Sequence, residues 1–129
     1  MSDAVLDASA VLAYLTKERG HQKVAQAIEH ENAYLNSVNY CEVISSLVDH
    51  GMRLEMAVSV VRDMELILVV FDEHLAVETA RLRAATKSLG LSLADRSCIA
   101  LARHLRLPLY TTDKAWQSVK AGIKINLIR

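Results

Sequence analysis

Four acidic residues stand where short apolar runs hand over to helix-like or turn-like stretches: Asp7 in AVLDASAVLAYL, Glu42 in NSVNYCEVISSL, Asp95 in LSLADRSCIALA and Asp113 in LPLYTTDKAW. Each has an ordinary structural explanation. Asp7 and Asp113 are placed to cap helices or turns. Ser92 and Asp95 fit the spacing of a capping box. Glu42 has Ser45, Ser46 and Asp49 at i+3, i+4 and i+7, a face that water alone could cover. Asp95 departs from that pattern, because Cys98, Ile99 and Ala102 at i+3, i+4 and i+7 make its direction core-facing. An acid heading an apolar stripe is costly unless it is paired or meets a cation. If the four met in space they would repel one another and their pKa values would rise. A divalent cation removes that cost. Hard oxygen ligands without a nearby histidine favour Mg²⁺, or Mn²⁺, over zinc. Such ions position phosphates and activate water.

The elements that would gather these acids follow from periodicity. Short apolar runs predict strands at 3–7, 33–36, 67–71, 108–111 and 123–127. ILVVF at 67–71, continuous and β-branched, reads as the most buried of them. Segments of 3.6-residue period predict helices at 9–17, 21–30, 38–50, 54–64, 73–88 and 93–105, with Cys41, Ile44, Leu47 and Val48 on the apolar face of the third. Gly51 and Gly90 stand where helices should stop. Alternating strands and helices predict an α/β fold with a mainly parallel sheet, built from the five candidate strands above and flanked by helices. Functional groups in such sheets collect at the carboxyl ends of strands, which is where Asp7, Asp72 and Asp113 fall.

At 129 residues with 52% hydrophobic composition and one proline, the chain is expected to be a single globular domain spanning 1–129. MSDAV lacks the basic start of a signal peptide, and no apolar run approaches a membrane span. Cys41 and Cys98 form no CxxC pair and read as packed, reduced thiols. A cytoplasmic location is the expectation. The net charge is zero, but the segment 96–129 carries +6 and the remainder −6, so one part of the chain is suited to a polyanion. Five scattered histidines form no ligand-like cluster, and Trp116 reads as a core residue.

In their order along the chain, these motifs resemble those of PIN-domain ribonucleases, and more narrowly the VapC-type toxins of bacterial toxin–antitoxin pairs. VLDASAVLAYL is similar to the first motif, NYCEV to the second, GLSLADRSCIALA to the third and LYTTDKAW to the fourth. The resemblance implies a metal-dependent endoribonuclease that uses Asp7, Glu42, Asp95 and Asp113 as catalytic metal ligands for Mg²⁺, or Mn²⁺. It implies that Ser9 and Thr111 orient those ligands from behind, and it leaves Arg96, next to Asp95, as a candidate substrate contact. It also implies an RNA substrate, a cognate antitoxin protein and a homodimer, with no membrane association. Two readings compete. One is a phospho-receiver module with Asp72 as acceptor, although receivers carry a second acid beside the first strand's, where this chain has Ala8 and Ser9. The other is a catalytically silent PIN-like binding module.

Overall fold

The computed structural model describes residues 3–129; Met1 and Ser2, the start of the MSDAV stretch, lie outside it. Five parallel strands form one sheet: β1 (Ala4–Leu6), β2 (Ala33–Asn36), β3 (Ile67–Val69), β4 (Leu109–Thr111) and β5 (Ile125–Leu127), in the order β3-β2-β1-β4-β5. Val5 pairs with Tyr34 on one side and Leu109 on the other, so β1 is central. The connecting helices are α1 (Ala8–Leu15), α2 (His21–His30), α3 (Ser37–Asp49), α4 (Leu54–Arg62), α5 (Glu73–Arg81), α6 (Arg83–Thr86) and α7 (Leu93–Leu105).

Alternation along the strands divides the core into two layers. Leu6 and Leu35 point to one face, against Val11, Val24, Val43 and Leu47 of α1 to α3. Val5 and Leu109 point to the other, against Leu75 of α5, Ile99 and Leu101 of α7, and Trp116. The sheet is thus sandwiched between helices, as parallel sheets require. Its order reverses at β1: the chain winds outward through β2 and β3, then returns to the other side for β4 and β5. The crevice outside the carboxyl ends of β1 and β4 lies at that switch point.

Three expectations need correction. ILVVF is an edge strand, not the most buried one: β3 pairs only with β2, and Leu68 and Val70 are 53% and 72% exposed. The predicted helix over 73–88 is α5, α6 and a 3₁₀ turn at Lys87–Leu89, with a break at Leu82. There the Thr79 hydroxyl bonds back to the Leu75 carbonyl, while the Thr79 carbonyl accepts from Leu82 N at i+3 and from Arg96 Nη1. These bonds tighten the ladder and end it. Cys41 and Val48 are exposed, because α3 buries the stripe of Asn39, Val43, Ile44 and Leu47 instead. Among the described residues no helix is long and apolar enough to cross a membrane.

Candidate active site

Asp7 follows β1 directly, and its backbone N–H extends the pairing with β4 by donating to the Tyr110 carbonyl at 3.2 Å. Its carboxylate caps α1, accepting from Ala10 N at 2.8 Å. It also accepts from Ser9 Oγ at 2.7 Å and Thr111 Oγ1 at 2.6 Å. Each hydroxyl is itself held: Ser9 Oγ accepts from Thr112 N and Thr111 Oγ1 from Asp113 N. One carboxylate therefore joins the first helix, the fourth strand and the loop carrying Asp113. Asp7 is only 5% exposed. Burial pushes its pKa up to about 6 against the three donors, and the charge of Asp95 adds to the rise.

Glu42 is placed by a buried amide relay. Asn36 ends β2 and caps α3, its side chain accepting from Asn39 N at 2.9 Å. Asn36 Nδ2 donates to Ser97 Oγ on α7 at 3.1 Å. Asn39 Nδ2 donates both to the Ala94 carbonyl and to Glu42 Oε1, each at 3.2 Å. This network locks α3 to the first turn of α7 and aims Glu42 at Asp95. Partial loss of water pushes the Glu42 pKa up; the Asn39 bond opposes this and the Asp95 charge reinforces it. Asp95 completes the expected capping box, accepting from Ser92 N while Ser92 Oγ accepts from Asp95 N. Asp113 is exposed, and its Oδ1 accepts from Ala115 N at the head of the 3₁₀ turn Lys114–Ser118.

All four acids line one cleft of about 360 Å³, together with Ser9, Asn39, Thr112 and Trp116. No lysine, arginine or histidine among the described residues shares its wall. Beneath it Cys98 is fully buried, its Sγ donating to the Leu6 carbonyl at 3.6 Å. Burial drives this thiol's pKa well above its usual value, and the charges of Asp7, Asp95 and Glu42 add to the effect. The cleft is thus a concentration of negative charge without an internal counter-ion.

Its donors fit a hard divalent cation. Among the described residues no three His, Cys, Asp or Glu side chains converge closely enough to hold an ion by themselves. The arrangement suits an ion that keeps much of its water and takes one or two carboxylates directly, as Mg²⁺ does. Each capping bond leaves carboxylate lone pairs free for that purpose.

Other candidates fall outside the cleft. Arg96 is buried between α7 and α5, where Nη1 donates to the Thr79 carbonyl and Nε finds no partner among the described residues. Asp72 caps α5, accepting from Leu75 N at 2.9 Å, beside the edge strand rather than the central one. That role accounts for it without a phosphoacceptor. Trp116 is core, as expected, with one edge on the cleft. Asn36, Asn39 and Ser97 are the functional neighbours that the motifs did not announce. The spacing of Asn36 and Asn39 carries a capping signal, but the link to Ser97 is tertiary.

The PIN domain profile matches residues 4–122. No curated protein sequence matches the chain. Among solved structures it is similar to a DNA-bound VapBC from Salmonella typhimurium, with 18% identity, 100% of each chain covered and a TM-score of 0.76. It is similar to a toxin–antitoxin complex from Klebsiella pneumoniae, with 16% identity, 98% of each chain and 0.75. A third is VapC20 of Mycobacterium tuberculosis, described as a sarcin-ricin loop cleaving toxin, with 13% identity, 94% of this chain and 98% of that one, and 0.72. The profile takes in all four acids and every strand but the last, and the topology and cleft agree with it: the chain belongs to the PIN-domain family.

Proposed function

We propose that this protein is a VapC-type toxin: an endoribonuclease dependent on Mg²⁺, or Mn²⁺, that cleaves RNA phosphodiesters in the cytoplasm and is restrained by a cognate antitoxin. The observation that carries this reading is the convergence of Asp7, Glu42, Asp95 and Asp113 on one cleft that has no cation of its own. The solved structures of similar fold, toxin–antitoxin complexes and a sarcin-ricin loop cleaving toxin among them, support it.

Asp7, Glu42, Asp95 and Asp113 would hold the ion, directly or through water. When bound, it supplies an acidified water for in-line attack and charge stabilisation on the phosphate, with 3′-hydroxyl and 5′-phosphate products expected from the family resemblance. The chain's part is positioning. Ser9 and Thr111 hold both oxygens of Asp7, fixing its lone pairs toward the cleft. Asn39 does the same for Glu42 from α3. The capping box holds Asp95 at the N-terminal turn of α7, where the helix dipole steadies a carboxylate. None of the four carboxylates has a salt-bridge partner among the described residues, so a cation is the missing complement. An arginine offered by an antitoxin segment would meet the same need, and this is how we read inhibition.

The test is incubation of the purified, antitoxin-free chain with a mixed transfer and ribosomal RNA pool. It is run with Mg²⁺, with excess chelator, and as Asp95→Asn. Discrete fragments bearing 5′-phosphates, dependent on metal and on Asp95, are expected. A folded chain that neither cuts RNA nor binds Mn²⁺ would point to a silent binding module.

A further inference from the structure

The positive charge of the C-terminal third has a location. At the amino ends of β4 and β5, opposite the acidic cleft, two hollows of about 490 and 580 Å³ share Arg106, Leu107, Pro108 and Lys124, and so form one continuous trough. Arg103 lines one end, Tyr110 and Asn126 the other. Arg103, Arg106 and Lys124 are exposed, and none has a salt-bridge partner among the described residues. Among the described residues of the wall the one acid is Asp3, and it is engaged by Asn32 through backbone N at 3.1 Å and Nδ2 at 3.5 Å.

Arg106 stands out in its backbone. It follows α7 in the left-handed region, at φ +57°, a helix-ending position that glycine occupies with least cost. An arginine there places a guanidinium at the trough at some conformational expense.

We propose that this trough is a second RNA-binding surface, gripping the phosphates that flank the strand segment cut at the acidic cleft; it rests on the ribonuclease reading above. Arg106 and Lys124 share a hollow with the planar Tyr110 ring and Arg103 continues the charge to the far end, an arrangement that matches a phosphate backbone with a base stacked alongside. The two sites are the right distance apart for one strand. Asp95 and Arg103 are eight residues apart on α7, or about 12 Å along the helix axis, a span of a few nucleotides. The division of labour is electrostatic: the acidic cleft repels phosphates until a cation is present, so the holding force must come from elsewhere on the surface. Lys114 and Lys120, both exposed, lie along the sequence between Asp113 and the trough residues.

The test is binding of a fluorescent single-stranded oligouridine to the full chain, with chelator present so that nothing is cut. It compares wild type, the triple variant Arg103→Ala/Arg106→Gly/Lys124→Ala, and a control that removes three charges elsewhere, Lys23→Ala/Arg53→Ala/Arg62→Ala. The trough variant should bind roughly tenfold more weakly, and the slope of log affinity on log salt should fall by about 2, at about 0.7 per lost contact. Arg106→Gly alone should weaken binding while keeping or raising the melting temperature, because glycine suits that backbone; a loss of binding is then not a loss of fold. Equal losses in trough and control variants, or none in either, would overturn the proposal and leave the nuclease reading standing. No binding of RNA by wild type would remove both. A polyaspartate probe that depends on the trough more strongly than oligouridine does would assign the surface to an acidic peptide instead.

Discussion

At the scale of single residues, Asp7 carries the tension of the site. Its folded pKa of about 6 lies above the ordinary aspartate value of 3.8, so the folded chain binds its proton more tightly than the unfolded chain does. The stabilising contribution of that proton is complete below pH 3.8 and is lost as pH rises through 6. At neutral pH the buried charge costs the metal-free protein about 3 kcal/mol. Asp7→Asn should therefore abolish cleavage and weaken Mn²⁺ binding, yet raise the melting temperature of the metal-free chain at pH 7; the Thr111 hydroxyl can reverse to accept from the new amide. Differential scanning fluorimetry beside the RNA assay checks both halves. Protons and the ion compete for the same oxygens, so cleavage at limiting Mg²⁺ should fall as pH drops below about 6 and recover as Mg²⁺ is raised. Asn39 acts through its partners. Asn39→Ala removes the donor shared by Glu42 and the Ala94 carbonyl. It should cost about 1–3 kcal/mol in denaturant unfolding and loosen Mn²⁺ binding measured by electron paramagnetic resonance.

At the scale of elements, local sequence and tertiary placement part company. β2 (Ala33–Asn36) and α2 (His21–His30) have the predicted limits because apolar periodicity and flanking breakers set them locally. The carboxylates of Asp7 and Asp95 were legible for a similar reason: each lies within a stretch that dictates its own turn or cap. What was not legible depends on neighbours. A β-branched run such as ILVVF scores alike in a central or an edge strand. Cys41 fits a helix period whichever face is buried. The break at Leu82 is accompanied by a bond from Arg96 of α7 to the Thr79 carbonyl, a tertiary contact that local sequence does not announce. Nor did Glu42 announce itself by periodicity, since the amide relay that aims it crosses from α3 to α7. Arg96 yields a prediction at this scale. Its guanidinium joins α7 to α5 rather than facing the cleft, and its Nε is buried without a partner among the described residues. Arg96→Met should stay within about 1 kcal/mol of wild-type stability and keep RNA cleavage within twofold. A selective loss of cleavage from a stable protein would restore it as a substrate contact.

At the scale of the whole molecule, the sheet order puts the two halves of the winding to different uses. The reversal at β1 opens the acidic crevice, and the β4–β5 side carries the cationic trough at its other end. The β3 side ends in an open edge where Ile67, Leu68 and Val70 expose apolar side chains. An edge of this kind invites a partner, and we read it as part of the surface that pairs two copies of the chain. Leu68→Lys should then shift the molecule toward monomer in multi-angle light scattering and leave the melting temperature of dilute protein nearly unchanged. A wild-type chain that is monomeric at all concentrations would remove the dimer from this account.

Cys98 turns the cleft into something that can be read without labelling it. The thiol is sealed under the site, tied to the Leu6 carbonyl, and exposed to the electric fields of Asp7, Asp95 and Glu42. Any event that neutralises those acids, whether a proton, an ion or an inhibitor's arginine, alters the field along the S–H bond. The native protein thus holds an internal voltmeter, whose infrared stretching frequency reports the occupancy of the cleft without any change to the residues that form it.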